Sequence, residues 1–265
     1  MCEVLGVNRS GYYKWKDRKP SLAEIRLRFL MNLVSNVYEE NNGIYGYRRI
    51  AIYLNYFEGI KVTYNYIHRI MRILGLKSVI RRKRHSYKRS KPKHTAENIL
   101  DRQFQEEYEP MEVLLTDITE FKYGKNSTVY LSAILDYGAN KIVGYKLSNR
   151  NNNELVKETF NQVKDKIMPN KTLIHSDRGT QYTSHFFREF IKTHKAIQSM
   201  SRAGKCIDNG PMENFWGIIK EEMYRLKKYE TLEELKADID RYIEFYNTKR
   251  VTLAMGVELG LEKAA

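Results

Sequence analysis

Apolar residues return every three or four positions between Ser21 and Glu40, which is the spacing of one face of a helix. The members of that face, which we expect to point inward, are Leu22, Ile25, Phe29, Leu33 and Val37. Ser21 followed three residues later by Glu24 forms a capping box, a device that satisfies free backbone N–H groups at the start of a helix. The pattern therefore predicts a helix over 21–40, ended by the sequence NNG at 41–43.

Two shorter helical patterns follow. The first runs from Tyr47 to about Tyr56, and the second begins after Thr63, a favourable N-cap residue, and stops at Gly75. Two short helices joined by a tight turn form a helix-turn-helix pattern. The same pattern also fits an ordinary helical bundle with charged outer faces.

The second of these short helices has two chemically different faces. Its expected inward residues are Tyr66, Ile70 and Ile73. Its expected outward residues are Asn65, His68, Arg69 and Arg72. Outward side chains of these types suit contacts with phosphates and base edges, so this helix is a candidate for reading DNA.

The pattern changes at about Glu112 to runs of β-branched and aromatic residues, which favour strands. Three runs separated by short turns predict an antiparallel meander over 113–121, 128–137 and 141–148. Two further strands are predicted at 172–176 and 196–200. Helices are predicted at 153–166, at 184–194, from about Asn209 onward, and at 232–246. This order indicates an α/β fold in which the first and fourth strands are neighbours.

Charge is distributed unevenly along the 265 residues. The formal net charge is +14, and residues 1–95 carry +15 whereas residues 96–265 carry −1. Such asymmetry favours a polyanion-binding region joined to a nearly neutral one, although a solvated basic surface would look the same. We predict three parts: a helical DNA-binding domain at 1–76, a basic linker at 77–95 and a catalytic core at 96–265. The linker contains no acidic residue and could lie along a nucleic-acid backbone or merely keep the protein in solution.

Other features of the composition exclude several classes of protein. No run approaches the roughly 18 apolar residues of a membrane helix, and no signal peptide is recognisable. Cys2 and Cys206 are the only cysteines, so neither a disulfide framework nor a zinc-ligand spacing is present. We therefore expect no membrane partner and a location in the cytoplasm.

Three carboxylates stand at informative positions. Asp117 lies inside the first apolar strand, Asp177 follows the fourth strand, and Glu213 falls in the first turn of a helix. Each has an ordinary explanation, namely a compensated strand charge, a turn cap, and a favourable interaction with the helix dipole. Carboxylates that converge without local cations repel one another and attract hard cations such as Mg²⁺ or Mn²⁺. Two such ions about 4 Å apart can promote phosphoryl transfer.

Five motifs give the chain a family resemblance. They are GIYGYRRI (43–50), TDITEF (116–121), HSDRGTQY (175–182), DNGPMENFWGIIKEE (208–222) and YNTKR (246–250). Thirty-five residues separate Asp177 from Glu213. Over nearly its whole length the chain resembles insertion-sequence transposases of the retroviral-integrase-like DDE superfamily. More narrowly, it resembles the second-frame (OrfB) products of two-frame elements.

This resemblance implies a ribonuclease H-like core, a mixed five-stranded sheet with flanking helices, after a small all-α helix-turn-helix domain. It also implies that Asp117, Asp177 and Glu213 are the catalytic triad and hold Mg²⁺ or Mn²⁺, as two ions. The expected reaction is DNA strand cleavage and strand transfer at the ends of the element. The alternatives are a ribonuclease H-type nuclease without strand transfer, and a non-catalytic DNA-binding repressor or decayed copy.

The expected partners are terminal inverted repeats and target DNA, bound by a homo-oligomer. The tail at 251–265 departs from the family's pattern, and the start lacks a leucine-zipper region, so the resemblance implies a joint action with the first-frame (OrfA) product. Basic residues are expected to contact the DNA. In the helical domain and linker they are Arg48, Arg49, Arg69, Arg72, Arg81, Arg82, Lys83 and Arg84; in the core they are Arg178, Arg202, Lys205 and Lys220.

Overall fold

The computed structural model describes residues 2–80, 98–100, 106–202, 209–253 and 255. The chain forms two compact units, one made of Met1–Arg82 with Val251–Ala265 and the other of Lys83–Arg250. The predicted division at 76 and 95 stays a prediction, because most of the predicted linker lies outside the described residues. In the described part of the chain no helix is both long enough and apolar enough to cross a membrane.

Residues 2–80 of the first unit contain four helices. They are α1 (Arg9–Asp17), α2 (Leu22–Glu40), α3 (Tyr47–Tyr56) and α4 (Tyr64–Ile73). The capping box of α2 is present as predicted: the Glu24 N–H donates to Ser21 Oγ over 3.2 Å, and the Ser21 N–H donates to the Glu24 carboxylate over 2.8 Å. Gly75, at φ +70°, follows the end of α4 in the left-handed conformation that glycine adopts most easily. α1 was not predicted and has no buried residue.

The inward faces predicted for α2 and α4 are partly wrong. In α2 the buried residues are Leu30, Val34 and Val37, so that of the predicted face Val37 is confirmed, Leu33 is half-buried, and Leu22, Ile25 and Phe29 are exposed. In α4 the buried residues are Tyr64, Ile67, Ile70 and Met71, while Ile73 is exposed and Tyr66 half-buried. The apolar arc of each helix is wider than its buried stripe, so periodicity alone could not choose which apolar residues pack inward. The predicted outward polar residues of α4 are exposed.

The second unit is built on a five-stranded sheet. Its strands are β1 (Val113–Tyr123), β2 (Ser127–Asp136), β3 (Lys141–Ser148), β4 (Leu173–Ser176) and β5 (Ile197–Met200). Their order across the sheet is β3-β2-β1-β4-β5. β1, β2 and β3 pair antiparallel, whereas β4 and β5 run parallel to β1. This mixed sheet confirms the predicted meander and the predicted pairing of the first and fourth strands.

Helices cover both faces of the sheet. They are α5 (Asn153–Phe160), α6 (His185–Thr193), α7 (Gly210–Glu222) and α8 (Leu232–Thr248). Alternate residues of β1 divide between two cores: Leu114 packs with α5 and α6, and Leu115 packs with α7 and α8. The predicted fold class, a flanked mixed five-stranded sheet with a helical region before it, is confirmed. The predicted helix over 153–166 is too long, because α5 ends at Phe160 and a separate 3₁₀ turn covers Lys164–Lys166.

The outer edge of β3 is closed by two side-chain amides. Asn247 of α8 accepts from the Ile142 N–H and donates to the Ile142 carbonyl, at 2.8 and 2.9 Å. Gln162 pairs in the same way with the N–H and the carbonyl of Tyr145, at 3.3 and 2.8 Å. These contacts supply what a neighbouring strand would supply, and they protect the edge against pairing with another chain.

Candidate active site

The register of the sheet brings Asp117 and Asp177 side by side. Thr116 of β1 lies opposite Ser176, the last residue of the parallel strand β4. The residues that follow these two in the sequence are Asp117 and Asp177. Asp117 is half-buried in the middle of the sheet, whereas Asp177 is exposed just beyond the end of β4. Two carboxylates therefore meet where the parallel strands end, as the sequence predicted for the first and fourth strands.

Electrostatics tie the third predicted carboxylate to this pair. Burial is the largest cause that raises the pKa of Asp117, to about 7; the charge of Asp177 is the next and the charge of Glu213 the smallest. Hydrogen bonds from the Ile118 N–H and the Trp216 indole act in the opposite direction. Desolvation also raises the pKa of Asp177, against a hydrogen bond from the Gly179 N–H. The fold has thus placed negative charges where they oppose one another's ionisation.

The carboxylate oxygens of this cluster suit a divalent cation, but the three side chains are not arranged around a common point. Carboxylate oxygens are the ligands that Mg²⁺ and Mn²⁺ prefer, and a cation would offset the repulsion that raises the pKa of Asp117. Among the described residues, however, no three His, Cys, Asp or Glu side chains are arranged so that they could hold a metal ion. Glu213 is an exposed residue in the first turn of α7.

Three side-chain hydrogen bonds connect α7 to β1. They run from Asn209 Nδ2 to the Thr116 carbonyl (3.2 Å), from Trp216 Nε1 to Asp117 Oδ2 (3.0 Å), and from Lys220 Nζ to Thr119 Oγ1 (2.6 Å). Asn209 and Trp216 are buried, and Lys220 is half-buried. Because these contacts recur along the helix, they fix the position of α7, and therefore of Glu213, against the strand that carries Asp117.

Trp216 and Lys220 occupy the border of the carboxylate cluster. From its place one turn after Glu213, Trp216 was expected to fill the core or to border the site; it packs in the core, and its ring nitrogen also donates to Asp117. Lys220 lies one helical turn further along α7, with its ammonium group 5.5 Å from the centre of the Phe121 ring. Burial lowers the pKa of Lys220, while Glu120 and Asp117 raise it.

The loop after β4 is shaped around Asp177. The Gly179 N–H donates to Asp177 Oδ1 over 2.9 Å, and a Cβ added at Gly179 would lie 3.0 Å from that same oxygen. Gly179 does not adopt a positive φ, so glycine here favours close approach rather than a special backbone conformation, since a Cβ would press against Asp177 Oδ1. Arg178 braces the loop through a 2.6 Å hydrogen bond to the Ser201 carbonyl, and Gln181 does so through Asn151.

Two other acidic residues near the sheet are structural. Asp136 is the buried last residue of β2, where it accepts hydrogen bonds from the N–H groups of Met111 and Ala139. Glu222, at the end of α7, is buried in a bidentate ion pair with Arg250, with both N···O distances at 2.9 Å. Neither side chain is available to the carboxylate cluster.

Basic residues predicted to contact DNA are found in both units. Arg69 and Arg72, with Asn65, His68 and Ile73, line an open groove of 550 Å³ on the outward face of α4. Arg48 and Arg49 lie in the first turn of α3, where their guanidinium groups approach the rings of Tyr47 and Tyr45. In the second unit, Arg178 and Lys220 lie next to Asp177 and Asp117, and Arg202 follows β5. Arg81, Arg82, Lys83, Arg84 and Lys205 lie outside the described residues.

Comparison with known families identifies both units. Residues 24–84 match the family model of an HTH-like domain. Residues 107–206 match the model of an integrase core domain, and a second integrase core model matches residues 213–261. The integrase models thus cover the sheet and the helix that carries Glu213.

Individual proteins similar to this chain carry transposase names. The putative transposase InsK for insertion sequence element IS150 of Escherichia coli (strain K12) is 34% identical, over 94% of this chain and 87% of that protein. The transposase for insertion sequence element IS904 of Lactococcus lactis is 33% identical, over 88% and 92%. Among solved structures, the HTLV-2 integrase catalytic core domain in complex with magnesium aligns with 54% of this chain and 91% of that one, at 19% identity and a TM-score of 0.42.

Proposed function

The chain belongs to the insertion-sequence transposases with an integrase core domain, proteins of DNA transposition, and we propose that Asp117, Asp177 and Glu213 form its catalytic site. The reaction is cleavage and joining of DNA strands at the ends of the element. The observation that carries this assignment is the register of β1 and β4, which sets Asp117 beside Asp177. The raised pKa of Asp117, caused in part by both other carboxylates, supports it.

The three carboxylates would hold Mg²⁺ or Mn²⁺, as two ions. When bound, such cations supply Lewis-acid chemistry for phosphoryl transfer. Asp117 and Asp177 offer their oxygens from adjacent positions of the sheet, and Glu213 offers its own from the first turn of α7. Lys220, held against Thr119 by a 2.6 Å hydrogen bond, presents a positive charge to a DNA phosphate beside them.

The remaining basic residues would hold the DNA. The terminal inverted repeat would be contacted by a DNA-binding domain that we place at 1–76, through Arg48, Arg49, Arg69 and Arg72. Arg178, Arg202 and Lys205 would contact the DNA strand that is bound at the carboxylates, in a core that we place at 96–265. Arg81, Arg82, Lys83 and Arg84 follow the backbone from the linker at 77–95. The chain acts on the bacterial nucleoid as a homo-oligomer, together with or fused to the first-frame product.

The test uses the purified chain, alone and fused to the first-frame product, with labelled terminal-repeat DNA and Mg²⁺. Asp177→Asn and Glu213→Gln should each bind the ends with unchanged affinity and lower the yield of joined product at least a thousandfold, since each removes a carboxylate that holds the cation. Lys236→Ala, at an exposed position of α8, is the matched control and should join normally. An Asp177→Asn protein that still joins DNA would rule out the proposed site.

The products also separate the alternatives. Joined strands support the transposase, whereas hydrolysis without joining in the presence of the partner supports a nuclease. Binding of the ends without any new DNA species supports a repressor that uses only its helical domain.

A further inference from the structure

Trp216 is the only core side chain of α7 with a hydrogen bond to Asp117 in the described part of the chain. Its indole Nε1–H lies 3.0 Å from Asp117 Oδ2, although the residue as a whole is 94% removed from solvent. We propose that Trp216 is a positioning residue for the transposition reaction, which holds the Asp117 carboxylate in the orientation that binds the cation. This inference rests on the proposed function of Asp117.

The physical case begins with the freedom of an aspartate side chain. The terminal torsion of Asp has broad, poorly separated preferences, so burial alone does not fix the plane of its carboxylate. A hydrogen bond from a neutral N–H to a carboxylate is charge-assisted and therefore stronger and more directional than a neutral one. The indole nitrogen is only a donor, so it can orient Asp117 without competing with it for a cation.

The ring itself is well anchored. Trp216 belongs to the core cluster between the sheet and the helices α7 and α8, and its ring centre lies 5.0 Å from that of Phe215. Asp117 therefore pairs with a donor that has little freedom to move. A mobile surface donor would give no comparable orientation, because it would rotate with the carboxylate.

The position of Trp216 along α7 adds a second effect. Trp216 lies three residues after Glu213, which is nearly one turn of the helix. This hydrogen bond thus orients the carboxylate of β1 and, together with the contacts of Asn209 and Lys220, holds the helix that carries Glu213 against β1. Residues that hydrogen-bond a metal ligand typically change metal affinity by about 10- to 100-fold when they are replaced.

The experiment removes the donor and keeps the ring. Trp216→Phe is compared with Trp15→Phe, a matched control at the other tryptophan of the chain, which is 64% exposed on α1. Mn²⁺ affinity of the full chain is measured by calorimetry, and the yield of DNA joining is measured against Mn²⁺ concentration. We expect the Mn²⁺ dissociation constant and the half-saturating Mn²⁺ concentration to rise about tenfold in Trp216→Phe, and joining to recover at saturating Mn²⁺. Trp15→Phe should behave as the parent.

A second variant keeps the inference testable if the smaller ring unfolds the protein. In the Trp15→Phe background, β-(3-benzothienyl)alanine at position 216 keeps the size and shape of indole and replaces its N–H with sulfur. This variant should also bind Mn²⁺ about tenfold more weakly than the parent. In the same background with Trp216 intact, Mg²⁺ should change the fluorescence of Trp216 saturably, and Asp117→Asn should abolish that change.

The outcomes distinguish the two assignments. If the benzothienyl protein binds Mn²⁺ as tightly as the parent, Trp216 fills the core and does not position Asp117, and the catalytic assignment stands. If Asp117→Asn leaves the Mn²⁺ affinity of the parent unchanged, Asp117 is not a ligand and both assignments fail. A loss of joining that saturating Mn²⁺ does not restore, with unchanged Mn²⁺ affinity, also overturns the positioning role.

Discussion

Asp117 illustrates what the structure adds at the scale of a residue. A carboxylate within an apolar strand is costly unless something compensates it, and the sequence left open whether a salt bridge, hydrogen bonds or a cation did so. In the structure its neighbours include two more carboxylates and one indole N–H, and its pKa is raised to about 7. The compensation from protein groups is therefore incomplete.

A prediction about pH follows from this residue. The folded pKa of Asp117 lies above the ordinary value of 3.8, so the folded chain holds a proton that the unfolded chain releases. Without divalent metal, the contribution of Asp117 to the free energy of unfolding is therefore highest at low pH, where Asp117 is protonated, and it falls as the pH rises from about 4 to about 7. Asp117→Asn should remove this loss and stabilise the metal-free protein at pH 8 by more than about 1 kcal/mol.

Thermal unfolding in EDTA at pH 4 and pH 8 checks the prediction. The melting temperature of Asp117→Asn should exceed that of the parent by several degrees at pH 8 and by much less at pH 4. Asp165→Asn, at a carboxylate of the exposed 3₁₀ turn, is the control and should show no such difference. Equal melting temperatures of parent and Asp117→Asn at pH 8 would contradict the electrostatic account of the cluster.

At the scale of the element, the YNTKR motif at 246–250 acquires a structural explanation. Tyr246 packs edge-on against Phe215 of α7, and Asn247 pairs with the backbone of β3. Arg250 forms the buried ion pair with Glu222 at the end of α7. The end of α8 is thereby joined both to the sheet and to the helix that carries Glu213.

The buried ion pair allows a prediction about stability. Glu222→Met should leave the Arg250 guanidinium buried without its carboxylate and lower the free energy of unfolding by about 3–5 kcal/mol. The double variant Glu222→Met/Arg250→Met should recover most of that loss, since no charge then remains buried. Urea unfolding of the two variants and the parent measures both values.

The exposed Lys236→Ala on α8 serves as the control and should stay within about 0.5 kcal/mol of the parent. If the double variant proves as unstable as Glu222→Met alone, lost packing rather than an uncompensated charge is responsible. Tyr242, whose hydroxyl donates to Glu222 over 2.9 Å, would then be the next residue to test.

The elements also show where sequence patterns are reliable. The bounds of α3 and β3 were predicted correctly, because turn and capping residues stand at both ends of each. The buried stripes of α2 and α4 were predicted only in part, because the apolar arc of each helix is wider than its buried stripe and tertiary contacts choose which of its residues are buried. α5 was predicted too long, since a polar helical pattern continues beyond Phe160 into the 3₁₀ turn.

At the scale of the whole molecule, the positive charge is concentrated in the first third of the sequence, and the rest is nearly neutral. The first 95 residues carry an excess of 15 positive charges, and the groove on α4 is lined by Arg69 and Arg72. Each phosphate that a basic side chain neutralises on duplex DNA releases counterions and steepens the salt dependence of binding by roughly 0.9 in a log–log plot. The steepness of that plot therefore counts the phosphate contacts.

The corresponding prediction concerns DNA affinity. Arg48→Ala, Arg69→Ala and Arg72→Ala should each weaken binding of terminal-repeat DNA and reduce the salt slope by about 1, if the residue contacts a phosphate. Fluorescence anisotropy between about 50 and 200 mM salt measures the slope. Lys236→Ala removes one positive charge from an exposed site on the other unit and should leave the slope unchanged. A variant of α4 with an unchanged slope would show that its side chain contacts no phosphate.

The sequence by itself determined the order of the elements from α2 onward and the division of charge, and it predicted which three carboxylates form the site. Those properties are local, because capping residues, hydrophobic period and motif spacing act over a few turns or strands. The tertiary structure decided which faces are buried, that Thr116 lies opposite Ser176, and that Trp216 of α7 donates to Asp117. These pairs of residues lie 60 and 99 positions apart in the sequence, so only the pairing of β1 with β4 and the packing of α7 on the sheet bring them together.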